Sequence, residues 1–163
     1  MIGNASALAI IDDCKDELTK IEKLITSLGT TNSASGFLTR YALMKSSSTL
    51  ENCYKTIIAD YYEALAPSMS CYIANMVRNA SRNANLDNIH KFLKEFDSTK
   101  HSKFKENVSA ITDKEVTLRE FKELANARNE IAHGSSTTLS FNDIKSKFLS
   151  SIKIMEALDA TMK

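Results

Sequence analysis

Apolar residues recur every three or four positions along most of this chain, and little interrupts them: one proline and four glycines are spread over 163 residues. Gly and Pro are the usual punctuation of turn-rich folds, so their scarcity argues against a β architecture and for long helices. An all-α fold is predicted. The length suits one domain with a core that needs no disulfide staples, so residues 1–163 are expected to form a single helical domain. Hydrophobic residues at 43% and charged residues at 25% fit a globular chain and exclude a disordered one.

The stripes can be followed along the chain. Leu8, Ile11, Cys14, Leu18, Ile21, Ile25 and Leu28 predict a helix over residues 5–28, ended by Gly29. Leu38, Tyr41, Leu50, Tyr54, Ile57, Ile58, Tyr61 and Leu65 predict a second over residues 36–65. The serine run Ser46, Ser47, Ser48 falls in its middle, but the phase of the stripe carries across it. Pro67 suits the first turn of a short helix over 68–77. Residues 78–86 are asparagine-rich and loop-like, and Asp87 is expected to cap a helix reaching Phe96. Residues 98–112 fit no pattern clearly, with Phe104 and Val108 as anchors. Residues 117–132 form a helix with Leu118, Phe121, Leu124, Ala125 and Ile131 inward, ended by Gly134. Ser140 with Asp143 makes a capping box for a last helix carrying Ile144, Phe148, Ile152, Met155 and Leu158.

Charge and cysteine content narrow the function classes. A net charge of +1 is far from that of a protein that coats nucleic acid without regard to sequence. Basic residues nevertheless gather over 78–105, and Arg78, Arg82 and Lys91 are candidate phosphate contacts; the plainer alternative is a solvated helix face. Cys14, Cys53 and Cys71 are widely spaced and form no CxxC pair, so reduced, mostly buried thiols are expected. The first residues lack a basic leader and no apolar run reaches the roughly 20 residues of a membrane span, so a cytoplasmic chain with no membrane segment is expected. No set of His, Cys, Asp and Glu has zinc spacing, and neither a Walker loop nor GxGxxG nor GxSxG occurs. No metal and no cofactor is expected. Tyr41, Tyr54, Tyr61, Tyr62 and Tyr72 fall mostly on helical stripes, which favours core packing over base stacking. His90 and His101 are read as surface residues within the basic stretch.

The segment with chemical content is Arg128-Asn129-Glu130-Ile131-Ala132-His133-Gly134. Arg128 lies on the last full turn of its helix and His133 at the end, where unpaired carbonyls and a partial negative charge suit cations. A guanidinium offers a fork of donors matched to phosphate oxygens, and an imidazole moves protons near neutrality. Those groups suit RNA cleavage. The 2′-hydroxyl is a nucleophile already in place, so alignment, proton transfer and charge stabilisation are enough without a metal. On the residues alone, a second reading stays open, in which Arg128 pairs with a carboxylate and His133 only closes its helix.

The string RNEIAHG at a helix end, the polar loop after it, the capped SFND and the earlier YALMKSSSTLENCYKTIIADYYEAL together resemble the HEPN superfamily, and its RiboL-PSP type in particular. The resemblance spans residues 5–162. It implies an up-and-down helical bundle of about five to seven helices that forms a homodimer, bringing two Arg/His segments together across a twofold axis. It further implies a metal-independent endoribonuclease of the kind found in toxin–antitoxin and antiphage systems, with RNA as substrate and a cognate inhibitor protein as partner. By the same resemblance His133 is the proton-transfer residue, Arg128 the phosphate contact, Asn129 a supporting polar residue and Glu51 a buried partner orienting Arg128. Relatives silenced by nucleotidyltransferases carry a tyrosine two residues past the histidine; Ser135 stands there instead, which speaks against that control. Some members keep the fold without nuclease activity, so a noncatalytic helical dimer that binds RNA or a protein is the alternative.

Overall fold

In a computed structural model that describes residues 1–135 and 137–163, the chain adopts the expected all-α class: seven α-helices and no strand among those residues. Helix α1 (Ala5–Leu28) starts where the Asn4 side chain accepts from the Ala7 amide and stops at Gly29, whose φ of 84° few other residues adopt. Helix α2 (Ser33–Leu65) begins three residues earlier than its stripe suggests, because Asn32 caps it, and it runs unbroken through the serines. Residues 67–78 follow as short helical turns: a 3₁₀ turn opened by Pro67, α3 (Ser70–Ile73) and a π-helical turn ending at Arg78. Helices α4 (Leu86–Phe96), α5 (Ser98–Ser109), α6 (Lys114–Ala132) and α7 (Phe141–Thr161) complete the bundle. No helix among the described residues is long and apolar enough to cross a membrane.

The core is built around α2, which packs on α1, α6, α7 and the 67–78 turns, while α7 in turn covers α5 and α6. Consecutive residues Cys53, Tyr54, Lys55, Thr56, Ile57, Ile58 and Ala59 are all buried, so this part of α2 is enclosed on every side. Phe92, Phe104, Phe121 and Phe148 bring α4, α5, α6 and α7 into the same apolar cluster. The undecided 98–112 stretch is helical for most of its length, and Phe104 and Val108 anchor it as expected. Cys14 and Cys53 are buried, Cys71 is exposed, and all three are free; burial pushes the Cys53 thiol up to about 12.

Several expectations need correction. Asn85, not Asp87, caps α4: its side chain accepts from the Asn88 amide at 2.7 Å, leaving Asp87 in the first turn, where it still suits the helix dipole. Tyr41 and Tyr72 are exposed rather than packed, as are Leu28 and Leu65 at the ends of their helices. His90 and His101 are half-buried, meeting edge to face at 5.1 Å between α4 and α5, with His90 also on Phe104.

That histidine contact has a consequence for acid stability. Burial first, then His101 and Lys105, hold His90 below its ordinary value of 6.5. A histidine depressed in the folded state contributes stability that is present above its unfolded pKa and lost as pH falls through the folded one. The melting temperature is therefore expected to drop as pH falls below about 6.5, and His90→Phe, which keeps the ring contact without the titration, should flatten that drop. Thermal melts of both proteins from pH ~7 to ~5 test this; parallel curves would rule the histidine out as the cause.

Candidate functional site

The end of α6 is closed by a backbone arrangement that only glycine makes easy. The Ser135 amide donates to the Glu130 carbonyl at 2.9 Å and the Gly134 amide to the Ile131 carbonyl at 3.0 Å, with Gly134 at φ 85°. This is a Schellman closure, and it fixes His133 as the C-cap, one residue past the end of α6. His133 is exposed, and no side-chain hydrogen bond among the described residues restrains its ring. Gly134→Ala is expected to lower stability by about 1 kcal/mol, through the left-handed backbone it would have to keep, and to shift His133. Urea unfolding of this variant is the check, and an unchanged midpoint would show that the closure is not needed.

Arg128 is placed differently. It continues the inward stripe Phe121–Leu124 by one further turn, so it is half-buried and faces α2. There it lines a slot with Ser47, Glu51 and Asn83 that encloses about 10 Å³, the room of one water molecule and too little for a ribose or base. Five residues of helix turn through about 500°, so Arg128 and His133 leave α6 about 140° apart and about 7.5 Å apart along its axis.

The charge of Arg128 sets it apart from most of the chain's arginines. Arg78, Arg82 and Arg119 each have a carboxylate within ion-pair distance, whereas Arg40 and Arg128 have none among the described residues. Among the described residues, the one polar contact of its guanidinium is a long hydrogen bond, 3.4 Å, to Asn129 Oδ1. That oxygen also accepts from Asn83 Nδ2 at 2.9 Å, and the Asn88 amide group holds the Asn83 carbonyl at 2.9 Å. Asn129 is thus a fixed polar neighbour of Arg128, supported from the 79–85 loop.

The loop itself is held from the core. Tyr54, fully buried on α2, donates its hydroxyl to the Arg82 carbonyl at 2.6 Å, and the next residue, Lys55, donates to the Ala80 carbonyl. The contacts of Asn83, Tyr54 and Lys55 that hold this loop escape sequence reasoning because they span 25 to 46 positions of the chain. The asparagine-rich composition of 78–86 was the only signal, and it pointed to a loop without saying what the loop supports.

Several of the predicted site residues have other partners in the structure. Glu51 lines the same slot as Arg128 but pairs with Lys55 at 2.6 Å, one turn along its own helix, and not with the guanidinium. The two arginines of the basic stretch are likewise engaged. Arg78 is clamped between Asp60 and Glu63, with Glu63 at 2.8 Å, and Arg82 stacks on Phe92 and pairs with Glu95 at 3.1 Å. Lys91 lies 4.0 Å from the same Glu95. The charge of the two arginines is answered inside the molecule, while Lys91 stays largely exposed. Among the described residues no three His, Cys, Asp or Glu side chains are grouped to hold a metal ion.

A family model described as RiboL-PSP-HEPN matches residues 10–163. Neither the curated proteins nor the solved structures gave a match.

Proposed function

Because the chain belongs to the RiboL-PSP-HEPN family, we propose that it is an endoribonuclease that cuts RNA through attack of the substrate's own 2′-hydroxyl, with Arg128 and His133 as its working groups. The observation that carries this reading is a guanidinium without a carboxylate partner among the described residues, on the same helix end as an exposed imidazole. In the reaction, the 2′-oxygen bonds to the adjacent phosphorus as it loses its proton. The bond from phosphorus to the 5′-oxygen breaks, and that oxygen takes up a proton. The products are a 2′,3′-cyclic phosphate and a 5′-hydroxyl. His133 serves proton transfer, and Arg128 holds the charge that builds on the phosphate oxygens, with Asn129 steadying the guanidinium.

The two side chains diverge around α6, so one copy alone does not bring them to the same phosphodiester, and the reading requires a paired site. One copy presents its arginine from a slot and its histidine from the helix end, and a twofold-related copy would let the arginine of one meet the histidine of the other. The active species in this reading is a homodimer of a single-domain, cytoplasmic chain. Its biological setting would be toxin–antitoxin or antiphage defence, with an inhibitor protein as partner. Specific activity is therefore expected to fall on dilution, in step with the loss of dimer mass measured by light scattering.

The decisive experiment incubates the purified protein with mixed RNA in excess chelator and examines the new ends. Cyclic phosphate termini support the proposal. RNA that stays intact while still being bound would replace it with a noncatalytic RNA-binding module, and RNA neither cut nor bound would remove RNA from the reading altogether.

A further inference from the structure

A second opening lies not at Arg128 but at the segment that follows His133 in the chain. It is a groove of about 440 Å³ between the end of α1, the first two turns of α2 and the segment that leads into α7. That volume is within the range of small-molecule sites and well above that of the Arg128 slot. Ile25, Leu139 and Phe141 give it apolar walls. None of its lining side chains is acidic, and Arg40 alone is charged. Like Arg128, Arg40 has no carboxylate within ion-pair distance among the described residues.

Beside the groove stands an unusual surface residue. The Phe37 ring is 66% exposed, with the Arg40 guanidinium 4.7 Å from its centre. An aromatic ring left in water next to an unpaired arginine is poor for solubility and well suited to a base and its phosphate. Continuity with the candidate site fixes the ligand class. Thr137 lines the groove four residues after His133, so at most about 14 Å of backbone separates them, within the reach of a short stretch of nucleic acid strand.

We propose that this groove is a nucleotide subsite for the RNA strand, resting on the ribonuclease reading above: an unpaired nucleotide near the scissile bond lies between α2 and residues 137–141, its base against Phe37 and its phosphate on Arg40. A duplex has no free base face to offer Phe37, so the subsite selects single-stranded or looped RNA. Gly36 lets the strand in. A Cβ built there meets nothing within 4 Å, so a larger side chain would enter the groove without displacing anything.

The test uses the full chain carrying His133→Ala, so that RNA survives, and reads the anisotropy of a labelled single-stranded RNA at several salt concentrations. Phe37→Ala should weaken binding about tenfold through lost stacking. Arg40→Ala should weaken it several-fold and make the salt dependence shallower by roughly 0.7 in slope, one phosphate contact on a single strand. Gly36→Leu should weaken it by blocking the groove while melting no lower than its parent, since leucine is the better helix former. Duplex RNA should respond little to all three. If the wild-type protein cuts RNA and the three variants bind single strands as their parent does, the subsite is wrong and the ribonuclease reading stands. If the variants keep RNA affinity but lose dimer mass, the groove is a contact between copies and the subsite is overturned. RNA neither cut nor bound by the wild-type chain would overturn both.

Discussion

Arg128→Ala is expected to lower RNA cleavage about a hundred- to a thousand-fold, the usual loss when one fixed donor to a developing anion is removed. The variant should fold as well as the wild type. Its guanidinium makes no ion pair among the described residues and only one long hydrogen bond, so its loss strands no buried carboxylate. A surface-type change in stability, within about 0.5 kcal/mol, follows. Arg128→Lys keeps the charge but not the planar fork and should recover only part of the rate. His133→Ala should lose about a hundred- to ten-thousand-fold, the range for a positioned proton-transfer group. The double variant should be little slower than the worse single one, because the two groups act on one transition state. Initial rates on a defined RNA, with melting temperatures alongside, make the case. A folded Arg128→Ala protein cutting at the wild-type rate would end the proposed role of this residue.

How far the sequence could be read follows from where each residue's partners sit. Helices α1 and α6 each bury one face, so their stripes were visible at intervals of three and four, and the Ser140–Asp143 box and the Gly134 stop were visible as local chemistry. The extent of α2 was legible but its burial was not. A helix enclosed on all sides over residues 53–59 has no polar face to set against the apolar one, and it even takes in Lys55. The N-cap of α4 was misread because Asn85 and Asp87 are both competent caps two positions apart, and only the backbone decides between them. Arg78 and Arg82 looked like a cationic track because Asp60, Glu63 and Glu95, which neutralise them, are 13 to 18 positions away. The Arg128–His133 segment could be found because its chemistry is contained in six consecutive residues. Its support could not be, since Asn83 reaches Asn129 across 46 positions. The Glu51–Lys55 pair, though only one helical turn apart, was not read either, and it gives Glu51 a partner other than the one the resemblance suggested.

That pair should be the most sensitive polar point in the fold. Lys55 keeps only 7% of its side chain exposed, and it divides its donors between Glu51, itself 22% exposed, and the Ala80 carbonyl. Lys55→Met removes the charge and leaves a mostly buried carboxylate and a carbonyl without their donor. Breaking a buried pair from one side is far worse than removing it whole, so a loss of about 3 kcal/mol is expected, the lower end of the range because Glu51 retains some contact with water. For a chain of this size that lowers the melting temperature by roughly 6–12 °C. Adding Glu51→Leu should return much of the stability, since an apolar pair asks for no desolvation, and the double-mutant cycle isolates the coupling. The two variants also separate stability from positioning. Neither can hold the Ala80 carbonyl, whose loop brings Asn83 to Asn129 beside Arg128. The double variant should therefore be stable and still slow on RNA. A stable double variant with full activity would show that the loop reaches α6 without the lysine, and a Lys55→Met midpoint in urea within about 0.5 kcal/mol of wild type would show that the pair contributes nothing.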